Sequence, residues 1–181
     1  MNLLAFILCY NYSMPKLNLE INNTTQSPVE DAFFVSVAEK TLAEVPSLSD
    51  LVAKSFSISM ALVSPAEIQK LNKERRQVDS VTDILSFAEY NNVNELKAAV
   101  DNSQADGLFL GELVLCYDYI KEYAEKRKIN PHTKNLHPED FGVGVKLDQE
   151  LANAVSHGIL HLLGFKHGKK MFQIQHKITH N

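Results

Sequence analysis

The stretch Ser156-His157-Gly158-Ile159-Leu160-His161-Leu162-Leu163-Gly164-Phe165-Lys166-His167 decides how this chain is read, because it gathers three of its seven histidines into one short segment. His157 and His161 stand four apart, so on an α-helix both project from one face, a turn apart, and can chelate one ion. Leu160 and Leu163 point to other faces and can bury the helix. Gly164 falls where a helix would end in a left-handed cap, since glycine alone takes positive φ without cost. A chain stopped there can double back and bring His167 to the same ion. Three neutral imidazoles with one open position suit a catalytic zinc. The plain alternative for a histidine on a helix face is a local hydrogen bond. A pair at this spacing, followed by glycine and a third histidine, favours the metal. The spacing also matches that of the H-E-x-x-H-x-x-G-x-x-H zinc proteases, except that Gly158 stands where those enzymes carry their general-base Glu. The ligand set without that base indicates a metal hydrolase that is not a protease of this type.

Outward from this stretch, composition bounds the rest. At 181 residues, with 45% hydrophobic and 22% charged side chains, the chain is an ordinary globular domain long enough to bury a core. A net charge of −4 excludes a protein that is basic overall, so any nucleic-acid binding must come from a local patch. Cys9 and Cys116 form neither a disulfide framework nor a Cys-x-x-Cys pair, which suits a reduced, cytoplasmic setting. Residues 1–13, MNLLAFILCYNYS, lack the positive start and small-residue cleavage site of a signal peptide. They are also too short to span a bilayer. They read as an upstream or disordered extension, and 14–181 as a single domain starting at Met14.

Hydrophobic spacing predicts the elements in order. Leu17, Leu19 and Ile21 alternate as a strand. Phe33, Phe34, Val37, Ala38, Leu42 and Val45 give an amphipathic helix over about 28–44, with Pro28 near its first turn. Phe56, Ile58, Met60 and Leu62 alternate as a strand over 55–63. Ser64-Pro65-Ala66-Glu67 starts a short helix ending near Asn72. Ile84–Phe87 is a short strand, and the asparagine-rich 90–106 a polar excursion. Leu108–Cys116 is a second long strand, followed by a charged helix over 117–128. Residues 129–147, with Pro131, Pro138, Gly142 and Gly144, read as a long loop. Helices over about 148–163 and 169–178 complete the chain. Strands and helices mixed without βαβ repetition predict an α+β fold: a small mixed β-sheet of about four strands packed with about five helices. The metal site lies on the helix carrying His157 and His161 and on the turn after it.

A second stretch, 71–87 (LNKERRQVDSVTDILSF), carries two adjacent arginines before an acidic, hydroxyl-rich turn. An arginine held near a metal can grip a phosphodiester with two parallel hydrogen bonds and offset charge developing on phosphorus. By itself such a pair more often marks a solvated helix end.

These motifs together carry a family resemblance. Residues 157–167 resemble the H-G-x-L-H-L-x-G-y-D-H signature of the YbeY family of metal-dependent endoribonucleases, which act in ribosomal RNA maturation. Leu71, Asn72, Arg76, Asp79, Thr82, Asp83, Leu85, Ser86 and Phe87 match that family's L-N-x-x-y-R-x-k-D-x-p-T-D-V-L-S-F segment. Leu110-Gly111-Glu112-Leu113-Val114-Leu115 is similar to its L-G-D-I-v-I strand. The resemblance spans about residues 16–178. It implies one divalent ion, zinc with nickel as the alternative, on His157, His161 and His167. It also implies Arg76 beside the RNA phosphate, with Arg75 and Lys166 as further substrate contacts. The catalytic set is then Arg76, His157 and His161. The implied function is a single-strand-type endoribonuclease maturing the 3′ end of 16S ribosomal RNA and serving ribosome quality control. The partners are RNA and the small ribosomal subunit, not DNA or a membrane.

The chain departs from the family in four ways. Lys166 replaces the acidic residue before the third histidine, and Arg75, Val78 and Val81 replace the usual aromatic, basic and proline residues. The loop at 129–147 is longer than usual. Met171 follows His167 without the intervening acidic segment. Two other readings follow: a metal-binding RNA- or ribosome-associated protein with decayed catalysis, and a metal hydrolase acting on a peptide or small phosphoester.

Overall fold

The computed structural model describes residues 16–46, 48, 55–102, 107–129 and 146–180, with the side chains of 127–129 and 180 outside that description. The expected extension at 1–13, Cys9, and almost all of the loop at 129–147 lie outside the described residues. The elements are β1 (Lys16–Asn23), α1 (Asp31–Ala43), β2 (Ser55–Leu62), α2 (Pro65–Arg76), β3 (Ile84–Ala88), α3 (Val93–Asn102), β4 (Gly107–Leu115), α4 (Tyr117–Ile129), α5 (Leu147–Leu162) and α6 (Lys169–His180).

The four strands form one mixed sheet in the order β1-β2-β4-β3. The first three are parallel, and β3 runs antiparallel to β4. Phe56, Ile58, Met60 and Leu62 of β2 all point into the main core, where Phe34, Val37 and Leu42 of α1 and Leu151, Val155 and Ile159 of α5 meet them. A smaller cluster, Ile68 of α2 with Leu85, Val114 and Cys116, lies apart from that core.

Gly111 has a specific task in this sheet. Pairing steps from Ser57↔Phe109 to Ile58↔Gly111, so Leu110 is an extra residue in β4. Such a bulge reverses the side-chain alternation. Leu108 and Leu110 enter the main core before it, and Leu113 and Leu115 after it. The bulge sets Gly111 at φ +133°, where a Cβ would stand 2.2 Å from the Phe87 carbonyl oxygen.

Three elements differ from the sequence expectation. Helix α2 continues one turn past Asn72 to Arg76, where Gln77 closes it in a left-handed conformation at φ 60°. Lys73, Glu74, Arg75 and Arg76 are good helix formers, and Lys73, Arg75 and Arg76 suit the negative end of the dipole. The asparagine-rich excursion contains a helix, α3, so the described residues hold six helices rather than about five. Asn92 caps it, its Oδ1 accepting from the backbone N–H groups of Asn94 (3.0 Å) and Glu95 (3.1 Å). Leu96 and Val100, four apart, bury its inner face. Helix α1 starts at Asp31, leaving Pro28 just outside it.

Candidate metal centre

The last turns of α5 present His157 and His161, and the helix end turns the chain toward them again. Gly164 takes φ +76°. Its N–H donates to the His161 carbonyl (2.9 Å), and the Phe165 N–H donates to the Leu160 carbonyl (2.9 Å). This pair of bonds is the Schellman closure of a helix. Glycine is needed here twice over, because a Cβ at Gly164 would also meet the backbone of Asn91 and Asn92 at 2.4–2.7 Å. The reversal delivers His167.

The three Nε2 atoms form a triangle with edges of 3.0 Å (His157–His161), 3.1 Å (His161–His167) and 3.2 Å (His157–His167). Three imidazoles cannot satisfy one another by hydrogen bonding around such a triangle, since each Nε2 carries either a proton or a lone pair. The tautomer of His161 favours the lone pair: its Nδ1 lies 2.9 Å from the Phe165 carbonyl oxygen, so Nδ1 carries the hydrogen and donates it. Tetrahedral coordination at zinc–nitrogen distances of ~2.0–2.1 Å would put nitrogens about 3.3–3.4 Å apart. The triangle therefore fits a single divalent ion.

The electrostatics agree with that fit. Burial pushes the His161 pKa down, opposed by the Phe165 carbonyl and reinforced by the nearby His167 and Arg76 charges. Burial and then His161 push the His157 pKa down, opposed mainly by Gln175. Both rings are thus held neutral, the form that binds a metal.

Gln175, on α6, is a residue the sequence reading missed. It is 6% exposed. Its Nε2 donates to Asn153 Oδ1 at 2.8 Å. Its Oε1 is buried and lies outside hydrogen-bond geometry of any donor. That oxygen nonetheless acts on His157 in the sense that favours a proton on the ring. A buried glutamine four residues from the core residue Met171 was the available signal, visible only once α6 is packed on α5.

Arg75, Arg76, Thr82 and Asp83 line one cleft of about 630 Å³ together with the three histidines. The turn between α2 and β3 builds the opposite wall. Asn72, 3% exposed, donates from Nδ2 to the Ser80 carbonyl at 2.9 Å. Asp79 accepts from Lys73 (2.6 Å) and Gln69 (3.1 Å). Asp83 Oδ1 accepts from the Ile84 N–H (2.8 Å) and the Thr82 hydroxyl (3.0 Å). Asn72 and Asp79 of the second motif thus shape the turn, leaving the arginines to face the cleft. Lys166 is exposed and is not among the cleft residues. Its replacement of an acid does not leave His161 without an orienting partner, because the Phe165 carbonyl supplies one.

Gly158 explains the missing protease base. A Cβ there would lie 2.7 Å from Ile84 Cδ1 and 2.8 Å from Leu113 Cδ2. That position faces the sheet, and its bareness lets α5 lie close on β3 and β4.

An α+β scaffold that converges three imidazoles and two guanidinium groups on one cleft defines a hydrolase class suited to anionic substrates. A family model described as Endoribonuclease YbeY matches residues 20–181. The chain is 30% identical over 148 residues to an Endoribonuclease YbeY of Halalkalibacterium halodurans, covering 79% of this chain and 82% of that one. It is 31% identical over 171 residues to that of Limosilactobacillus reuteri, covering 90% and 95%. A protein of Thermotoga maritima with a known solution structure shares the fold at TM-score 0.50 and 23% identity, over 90% of this chain and 87% of that one. The chain belongs to the YbeY endoribonuclease family.

Proposed function

We propose that this endoribonuclease holds one zinc ion on the Nε2 atoms of His157, His161 and His167 and grips the scissile phosphodiester with Arg76, assisted by Arg75. The observation that carries this is the Nε2 triangle, with its 3.0–3.2 Å edges, opening into the cleft that both arginines line. When bound, a divalent ion supplies polarisation of a phosphoryl oxygen and acidifies a water. The protein groups do the rest. Arg76 and Arg75 orient the phosphate through paired N–H donors and offset the charge that grows on its oxygens as phosphorus becomes pentacoordinate. The Phe165 carbonyl fixes the His161 tautomer, and Gln175 orients His157. No carboxylate follows His157, so the attacking oxygen, from water or from a ribose 2′-OH, loses its proton to some group other than residue 158. Lys166 reaches the RNA outside the cleft. The substrate is ribosomal RNA of the small subunit, the working unit is the single domain 14–181, and the setting is the cytoplasm. No helix among the described residues is long and apolar enough to cross a membrane.

The test is cleavage of a structured ribosomal RNA fragment by protein stripped with chelator and then reloaded with zinc. Cutting should depend on zinc and vanish in His161→Ala, with Arg76→Ala retaining the metal but losing cleavage. Full-rate cutting by metal-free protein would remove the proposal.

A further inference from the structure

We propose a second RNA-contacting subsite on α6, in which Phe172 stacks a nucleobase and Lys169 and Lys170 hold the adjoining phosphates as the strand leaves the metal cleft. Its location rests on continuity. His167 lines the metal cleft and lies nearly parallel to the Phe172 ring, with centroids 6.5 Å apart and planes at 11°. Phe172 in turn lines an open groove of about 790 Å³ that includes Lys169, Lys170 and His176. The cleft and the groove therefore meet across two aromatic rings.

The chemistry of the groove selects its occupant. Phe172 is 51% exposed, although Met171 and Ile174 on the same helix are buried, so its exposure is not a consequence of a loose helix. α6 carries Lys169, Lys170, Lys177 and no Asp or Glu, in a chain whose net charge is −4. Lys177 is engaged with Glu44 at 2.7 Å. Among the described residues Lys169 and Lys170 have no carboxylate partner, and Lys170 Nζ sits 5.4 Å from the Phe165 ring centroid. Exposed aromatic surface beside uncompensated lysines is the pairing that binds single-stranded nucleic acid, where a base stacks and the backbone is neutralised.

This subsite rests on the endoribonuclease reading, and its test separates the two. Zinc-loaded protein is titrated with a 2′-O-methyl single-stranded oligoribonucleotide, with binding followed by fluorescence anisotropy across a salt series. Phe172→Ala should weaken binding about tenfold, and Phe172→Trp should restore it. Lys169→Ala with Lys170→Ala should reduce the salt slope by about 1.4. Zinc content and Tm should stay at wild-type values in the Lys169→Ala and Lys170→Ala variant, because these side chains are exposed, and the Phe172 variants are compared at equal zinc loading. Wild-type affinity and slope in all α6 variants, with Arg76→Ala still weakening binding, would overturn the subsite and leave the cleft standing. A wild-type protein that binds no RNA at low salt would overturn both.

Discussion

Gly158 shows how a single missing side chain redirects chemistry. An added methyl there is driven against Ile84 and Leu113 in a packed core. Overpacking costs about 1–3 kcal/mol, more than the ~1 kcal/mol that alanine gains over glycine in a helix. Gly158→Ala should therefore lower stability by about 1 kcal/mol, measured by urea unfolding. Gly158→Glu should fail to fold, since it would bury a charge against the sheet. Gln175 is the complementary case of a side chain acting through another. Gln175→Leu should weaken zinc binding about 10–100-fold, read by competition with a chromophoric chelator, whereas Gln175→Glu should keep it. Titration gives a third outcome. The folded-state pKa values of His157 and His161 lie below their ordinary value of 6.5, so the unfolded chain binds more protons as pH falls. This contribution to metal-free stability is fully present above pH 6.5 and is lost as pH falls through the depressed values. Thermal melts of metal-free protein between neutral and mildly acidic pH should show Tm falling, and a flat profile would contradict the burial of these rings.

At the scale of elements, the helix end at Gly164 joins structure to site. One reversal caps α5, orients His161 through the Phe165 carbonyl and brings His167 round. Gly164→Ala must place a Cβ at positive φ and against the Asn91–Asn92 backbone, which cannot yield as a side chain tip can. It should cost about 2 kcal/mol or more and lower zinc affinity in the same variant, which denaturant unfolding and metal titration would register together. Asn92, which caps α3 beside that contact, lies in the asparagine-rich stretch that the sequence presents as a polar excursion, and asparagine competes for backbone hydrogen bonds. That competition is also what makes it a helix cap, and the pattern Asn92–Glu95 with Leu96 and Val100 carried the signal. The sequence pattern ends α2 near Asn72, yet both arginines ride on its last turn. Their side chains are aimed by the helix and by the Asn72–Ser80 tie that folds the turn back.

Across the whole molecule, the net charge of −4 sets a condition on RNA binding. Attraction must come from the arginines of α2 and the lysines near α6, so affinity should fall linearly with the logarithm of salt concentration. Chelation should also lower the Tm of the full chain, because an ion bound only by the folded state stabilises it by mass action. The sequence by itself determined the strands, most of the helices and the identity of the three histidines. Those features follow from spacing along one element, where period and geometry are local. The tertiary structure alone decided that β4 bulges at Leu110, that Gly158 must be bare, and that Gln175 is buried against Asn153 of α5. Each of these depends on two segments far apart in the chain meeting within a few ångströms, and such a distance is set by packing, not by any pattern within either segment.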